Sequence, residues 1–203
     1  MGMEESHTKV SGGATVSSIA HKNMPSGKSS KGRGHPLMFG YNEALLFDPF
    51  PDGGGFPKGF LKIAFQDLGV TDQDKVLHLC SGSVKSGYTI DIRIKTKPKI
   101  VADVRCLPFK NETFMWAIAD PPYSKEYAEN LYDTGETYPS PLSVMKEMGR
   151  VLKTSGRCGF LHHQVPFFRK PLKLLFVRGI SQGLGFALKA WSVFEKEKDD
   201  EIE

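Results

Sequence analysis

The chain has 203 residues, of which 39% are hydrophobic and 25% charged, with a formal net charge of +4. That length suits one good-sized core and is short for two. No run approaches the roughly 18 apolar residues of a membrane span and the N-terminus lacks a signal peptide's apolar segment, so a cytoplasmic or otherwise intracellular protein is expected. The three cysteines, Cys80, Cys106 and Cys158, are odd in number, far apart and set among apolar residues, which predicts reduced core thiols and neither a disulfide framework nor a zinc site. Six acids crowd residues 195–203, leaving 25 basic and 17 acidic groups in residues 1–194. A positive domain with an acidic tail can attract a polyanion and tune that attraction, or simply stay soluble.

In chain order, residues 1–34 are rich in Ser, Gly, Lys and Thr and predict a disordered basic or polar arm. Gly27-Lys28-Ser29 looks like the end of a phosphate-binding loop, but the required upstream glycine and strand are missing. Residues 35–56 mix aromatics with turn formers. After Pro57, the apolar set Phe60, Leu61, Ile63, Ala64, Phe65 and Leu68 predicts a helix that stops at Gly69.

Short apolar strands follow at residues 75–80, 88–92, 100–104 and 114–119, near-continuous as in a sheet buried on both faces. Two of them run into Ser81-Gly82-Ser83 and Asp120-Pro121-Pro122, the strand ends where an open α/β sheet binds ligands. The link Ser83 to Gly87 is short for a parallel crossover, which implies a first crossover stripped to a turn or a displaced second strand. Leu142 to Leu152 predicts a helix with Val144, Met145, Met148, Val151 and Leu152 inward and Lys146, Glu147 and Arg150 outward. A fifth strand spans residues 158–162, and residues 174–180 and 186–194 form a terminal antiparallel pair around Ser181 to Gly185. The domain is expected over residues 35–195, with an acidic tail at 196–203.

Asp120-Pro121-Pro122-Tyr123 joins four constrained residues to the end of an apolar strand. The prolines fix the backbone and leave carbonyls without competing local N–H donors. Asp120 and the Pro121 carbonyl can accept both hydrogens of an amino group, while Tyr123 can stack on the planar ring that carries it.

Together with Val76 to Ser83, Ile90-Asp91-Ile92, Val101 to Phe109 and Gly149 to Gly156, this motif resembles the class I, Rossmann-like S-adenosylmethionine-dependent amino-methyltransferases. The likeness covers roughly residues 56–195 and is specific to the group containing the DNA adenine-N6 and cytosine-N4 enzymes. It implies a single three-layer α/β domain with a mostly parallel seven-stranded sheet, an antiparallel C-terminal strand and a compact first crossover. It implies S-adenosyl-L-methionine as cofactor, held by Cys80, Ser81, Gly82 and Ser83 near its methionine part. Asp91 would take the ribose hydroxyls and Asp103 the adenine amino group, with Val104, Leu107 and Phe109 beside it. Asp120, Pro121, Pro122 and Tyr123 would be the catalytic motif, with Asp120 orienting the amine. The sequence departs from the family at Val84, in place of a second glycine, and at His78, in place of a common acid; Gly87 offers some of the lost room.

Tyr127 to Pro141 is the expected lid or base-recognition loop, with Tyr127, Tyr132 and His162 as candidate substrate contacts. His162 and His163 either line the substrate opening or lie at the surface. No Cys/His spacing suits a metal, and none is expected. The partner expected is nucleic acid, DNA before RNA, with Arg169-Lys170 and the arm touching phosphates and with no membrane association. The oligomeric state is open. Adenine N6 in DNA is the family-weighted substrate; RNA, a small-molecule amine, or a catalytically silent nucleic-acid-binding module stand as alternatives. A nicotinamide oxidoreductase lacks the full glycine fingerprint and leaves Asp-Pro-Pro-Tyr unexplained.

Overall fold

A computed structural model describes residues 55–57, 59–134, 137–181 and 186–198. The expected arm, the phosphate-loop-like tripeptide and residues 199–203 of the tail lie outside these.

The first helix, α1 (Phe60–Leu68), buries Phe60, Ala64 and Leu68, one every turn, and stops where Gly69 turns left-handed at φ 69°. Seven strands follow: β1 (Val76–Leu79), β2 (Tyr88–Asp91), β3 (Ile100–Val101), β4 (Phe114–Ala119), β5 (Leu152–His162), β6 (Leu172–Ile180) and β7 (Lys189–Lys196). They form one sheet in the order β3-β2-β1-β4-β5-β7-β6. β1 pairs in parallel with β2 and β4, while β7 runs antiparallel to both β5 and β6. This is the mostly parallel seven-stranded sheet with an antiparallel C-terminal strand that the sequence predicts. β7 reaches Lys196, whose buried ammonium donates to the Leu152 carbonyl at 2.9 Å, so the expected tail boundary falls inside a strand.

Two helices fill the β4–β5 connection. α2 (Lys125–Tyr132) is capped by the Ser124 hydroxyl accepting from Tyr127 N–H at 3.0 Å. α3 (Pro141–Val151) starts on Ser140 with Pro141 in the first turn. The stretch expected to be a loop from Tyr127 is therefore helical at its start; the signal was the N-capping Ser124 after two prolines.

The sheet is buried on both faces. On one, α1 packs with Val76, Ile118, Leu161, Trp191 and Val193; on the other, α3 packs with Leu77, Leu79, Ala117, Phe160 and Phe194. Strand alternation produces this split: Val76 and Leu77 face opposite ways, as do Ile118 and Ala119. Each fully buried side chain of this size contributes about 1.5–3 kcal/mol. Trp191 also ties the layers laterally. Its ring lies where any side chain at Gly159 would sit, and its indole N–H donates to Asp67 on α1 at 3.0 Å. Arg178 on β6 holds the same carboxylate at 2.7 and 3.1 Å.

The β1–β2 crossover is the unusual part, because residues 80–87 form no helix. Short strands make this possible. Four residues of β1 rise about 13 Å, and the return can span up to about 26 Å. The return crosses the α1 face, anchored by buried Val84. Gly87, at φ 72°, passes so close to β1 that a Cβ would collide with the Val76 carbonyl oxygen and lie 2.9 Å from His78. Gly87 thus makes room for β1 and His78, not for a ligand at the Gly82 turn.

Candidate functional site

The C-terminal ends of β2, β1 and β4 place Asp91, Cys80 and Asp120 side by side, with Asp103 just after β3. Their convergence is visible in one group. Burial pushes the Cys80 thiol up, and Asp91, Asp120 and Asp103 all push it further, against Arg93. A thiol held protonated in that way is no nucleophile. The other two cysteines are not alike: Cys158 is buried, but Cys106 is exposed, contrary to the expectation of three core thiols.

The turn after β1 is built by the backbone. Cys80 and Gly82 both have φ 52°, Ser81 N–H donates to the Ile90 carbonyl at 2.9 Å, and Gly82 N–H donates to Asp91 at 3.0 Å. Ser81 is buried and its hydroxyl oxygen has no partner among the described residues. Ser83 is exposed at the tip.

Asp91 is 3% exposed and its four acceptor positions are taken. One oxygen accepts from Arg93 N–H at 2.9 Å and Nε at 3.0 Å; the other accepts from Gly82 N–H at 3.0 Å and Arg93 Nη2 at 2.9 Å. Asp103 repeats the pattern two residues before Arg105, with Nη2 at 2.6 Å, but in a more open position. Neither arginine is among the expected site residues, although Asp-x-Arg recurs at the end of β2 and just after β3. Val104 and Leu107 are buried in the core against α3. Leu107 N–H donates to Glu147 at 2.8 Å, and Arg150 donates to the Leu107 and Phe109 carbonyls at 3.0 and 2.7 Å. Glu147 and Arg150 therefore do not point outward as expected; they hold the loop after β3.

At the other side of the turn, Asp120 accepts from the Tyr123 hydroxyl at 3.1 Å. Burial raises the Asp120 carboxyl to about 6, opposed by Lys189 and by the Tyr123 hydrogen bond. Pro121 is buried and Pro122 half-buried. The Tyr123 ring is surrounded by aromatics. His163 stacks on it at 4.0 Å and 26°, His162 meets it edge-on at 5.3 Å, and Tyr127 lies 5.3 Å away. Lys189 Nζ sits 4.9 Å from its centroid. Lys189 came from the start of β7, far away in sequence, with no local signal to announce it. Tyr132 contacts Tyr127 at 6.0 Å and lies under the Arg93 guanidinium at 4.3 Å. The structure thus gathers Asp120, Tyr123, Tyr127, Tyr132, His162 and His163 into one neighbourhood, joined to Asp91 through Arg93.

A cleft of about 740 Å³ opens at the opposite end of the sheet, between α3 and the start of β6, lined by Lys146, Arg150, Arg169 and Lys170 among others. Asp120 and Tyr123 do not line it. No group of three or more His, Cys, Asp or Glu among the described residues is placed to hold a metal, and no described helix is long and apolar enough to cross a membrane.

No protein-family model and no curated protein matches the sequence. Solved structures do match. TrmN of Thermus thermophilus is 17% identical over 66% of this chain and 47% of its own, with a TM-score of 0.50, so the chain spans less than half of that protein. The Burkholderia thailandensis 1,6-didemethyltoxoflavin-N1-methyltransferase, solved with S-adenosylhomocysteine, is 11% identical over 68% of this chain and 76% of its own, with a TM-score of 0.45. The N-methyltransferase NodS of Bradyrhizobium japonicum is 11% identical over 68% and 92%, also at 0.45. At such identities the likeness is one of fold: the chain has a class I methyltransferase-like Rossmann fold.

Proposed function

We propose that this chain is an S-adenosylmethionine-dependent N-methyltransferase acting on an exocyclic amino group, with adenine N6 in DNA as the leading substrate. The observation that carries the reading is the placing of Asp91, Cys80 and Asp120 at adjoining C-terminal strand ends, with Asp103 just after β3. The residues fit the cofactor. Gly82 turns left-handed at φ 52°, the buried Ser81 hydroxyl lacks a partner among the described residues, and Asp91 can exchange Arg93 for two ribose hydroxyls. Asp103 and the loop carrying Leu107 and Phe109 would hold the adenine end. When bound, the cofactor supplies an electrophilic methyl group on a sulfonium.

The chain's own residues position the amine. Asp120 and the Pro121 carbonyl accept its two hydrogens, which aims the nitrogen lone pair and supplies catalysis through alignment. The ionised Asp120 also favours the positive charge that develops on nitrogen. Tyr123 stacks on the ring once His163 yields that face or shares it. A duplex base must be flipped or already unpaired to reach it.

Two observations favour a second reading, a catalytically silent nucleic-acid-binding module: Arg93 saturates Asp91 and His163 covers Tyr123. The test is transfer of a labelled methyl group from S-adenosylmethionine to single- and double-stranded DNA, RNA, nucleosides and amine-bearing small molecules, followed by product identification. Asp120→Ala should lower transfer by at least about 10²-fold, and Tyr123→Ala should lower it as well. Transfer unaffected by Asp120→Ala sinks the site. No cofactor binding together with tight nucleic-acid binding supports the silent module.

A further inference from the structure

β4 and β5 run parallel with Ala119 opposite Phe160, and carrying that register two residues onward puts His162 beside Pro121. His162 shares its face of β5 with Phe160, 5.8 Å away, the face that points to the Asp-Pro-Pro-Tyr motif and α3. The side chain is 3% exposed. Its Nδ1 accepts from Gln164 N–H at 3.4 Å, so in the neutral ring the proton sits on Nε2. That Nε2–H is buried and has no hydrogen-bond partner among the described residues.

A buried donor without a partner costs free energy that phenylalanine at the same place would not incur. His78 shows that lack of a partner alone does not mark a site: both its nitrogens are unpaired, but it lies on the α1 face between Phe56 and Phe65. His162 differs by position. It stands edge-on to Tyr123, whose hydroxyl reaches Asp120 at 3.1 Å. A planar ring that presents its amine to Asp120 and its face to Tyr123 would lie next to the His162 ring, which is 5.3 Å from that of Tyr123.

We propose that His162 is a specificity residue whose Nε2–H donates to a lone pair on the substrate ring, so the site prefers a heteroaromatic amine with a ring-nitrogen acceptor near the amino group. The proposal rests on the function proposed above and narrows it. Burial, helped by His163, holds His162 near 4, which keeps it a neutral single donor at pH 7. Aniline-like amines lack the acceptor and fall outside the class. Adenine and cytosine carry it.

The test uses the full chain and single-stranded oligonucleotides with one adenine or cytosine, or the counterpart in which the ring nitrogen flanking the amino group, or N7 of adenine, is replaced by CH. Methyl transfer and equilibrium binding are both measured. In the parent, at least one replacement should lower kcat/KM or affinity about tenfold, the worth of one well-placed hydrogen bond. His162→Phe should fall to the level of that analogue and treat both oligonucleotides alike. His162→Gln, whose amide can donate from a similar place, should recover part of the preference. Equal treatment of natural bases and analogues by the parent, in transfer and in binding, overturns the proposal. So does a preference that survives His162→Phe, since the N–H then serves only to pack against Tyr123. Loss of transfer to every amine overturns the proposed function instead, and the binding arm still decides the role of His162.

Discussion

The Arg93 guanidinium grips both oxygens of Asp91 at 2.9–3.0 Å while its flat face lies 4.3 Å over the Tyr132 ring. One side chain therefore connects the carboxylate expected to hold ribose with the last turn of α2, which carries Tyr127 and Tyr132 toward Tyr123. In the proposed function, ribose hydroxyls would compete with Arg93 for the same lone pairs, so cofactor binding there would displace Arg93 and release Tyr132. Side-chain exposures of 10% and 3% make this a buried pair, and removing one partner leaves an uncompensated charge. Arg93→Ala should lower unfolding stability by about 3 kcal/mol, toward the lower end for such pairs because two backbone N–H groups still hold Asp91. S-adenosylhomocysteine should bind this variant more tightly than the parent and raise its melting midpoint further. Calorimetric titration and thermal unfolding check both; weaker binding by the variant would remove Arg93 as a competitor.

If Asp120 works as proposed, it should set the acid limb of the pH–rate profile. Burial raises its carboxyl to about 6, and the proposed chemistry needs the carboxylate. Protonation therefore switches the site off: kcat/KM should fall about tenfold per pH unit below that value. Lys189 opposes the rise, so Lys189→Met removes a charge that favours ionisation and should move the limb to higher pH. A pH–rate profile of the two proteins reads the shift directly. A limb that moves down, or does not move, would exclude Lys189 as the charge that tunes Asp120.

The strand cores and the Asp-Pro-Pro-Tyr turn were readable because they are local. β4 needed only its apolar run, and the motif needed only four adjacent residues. α2 was missed because it is only eight residues long and follows two prolines, although Lys125, Glu126, Ala128 and Glu129 are good helix formers and Ser124 caps it. β3 shrank from five expected residues to Ile100–Val101 because the chain turns at Asp103 to meet Arg105 and, farther on, the Glu147–Arg150 pair. Lys189 and the His163 stack depend on which strand ends become neighbours, and a sequence window does not contain that information.

Gly87 and Gly69 both have positive φ, near 70°, but only one is crowded. At Gly69 the nearest foreign atom to an added Cβ is Arg157 Nη1 at 3.7 Å, so Gly69→Ala should cost about 1 kcal/mol, the left-handed penalty alone. At Gly87 the same methyl meets the Val76 carbonyl and His78. Gly87→Ala should therefore cost more than about 2 kcal/mol, because backbone strain and a backbone collision add. Urea unfolding of the two variants compares them. If Gly87→Ala costs no more than Gly69→Ala, the helix-free crossover is not pinned against β1 there.

Glu147 works at a distance from any ligand. Its carboxylate accepts from Leu107 N–H at 2.8 Å and pairs with Arg150 at 2.7 Å, and Arg150 in turn holds the Leu107 and Phe109 carbonyls. The Arg150 hydrogen bond, followed by that of the Leu107 amide, holds the Glu147 carboxyl below its ordinary value of 4.5 against the effect of burial. A lowered acid stabilises the fold above its unfolded pKa, and that contribution disappears as the pH falls through the folded value. Glu147→Ala leaves a buried amide and a charged partner unmatched, so it should cost about 2–3 kcal/mol at pH 7 and progressively less as the pH falls below the ordinary carboxyl value. Glu147→Gln can still accept from Leu107 and should fall between the two. Because the same loop carries Leu107 and Phe109 to the proposed adenine end, both variants should bind S-adenosylhomocysteine more weakly, with Ala the weaker. Denaturant melts at pH 7 and pH 3, with titration at pH 7, measure the two effects separately. A loss of stability independent of pH would show that Glu147 acts through packing and not through its charge.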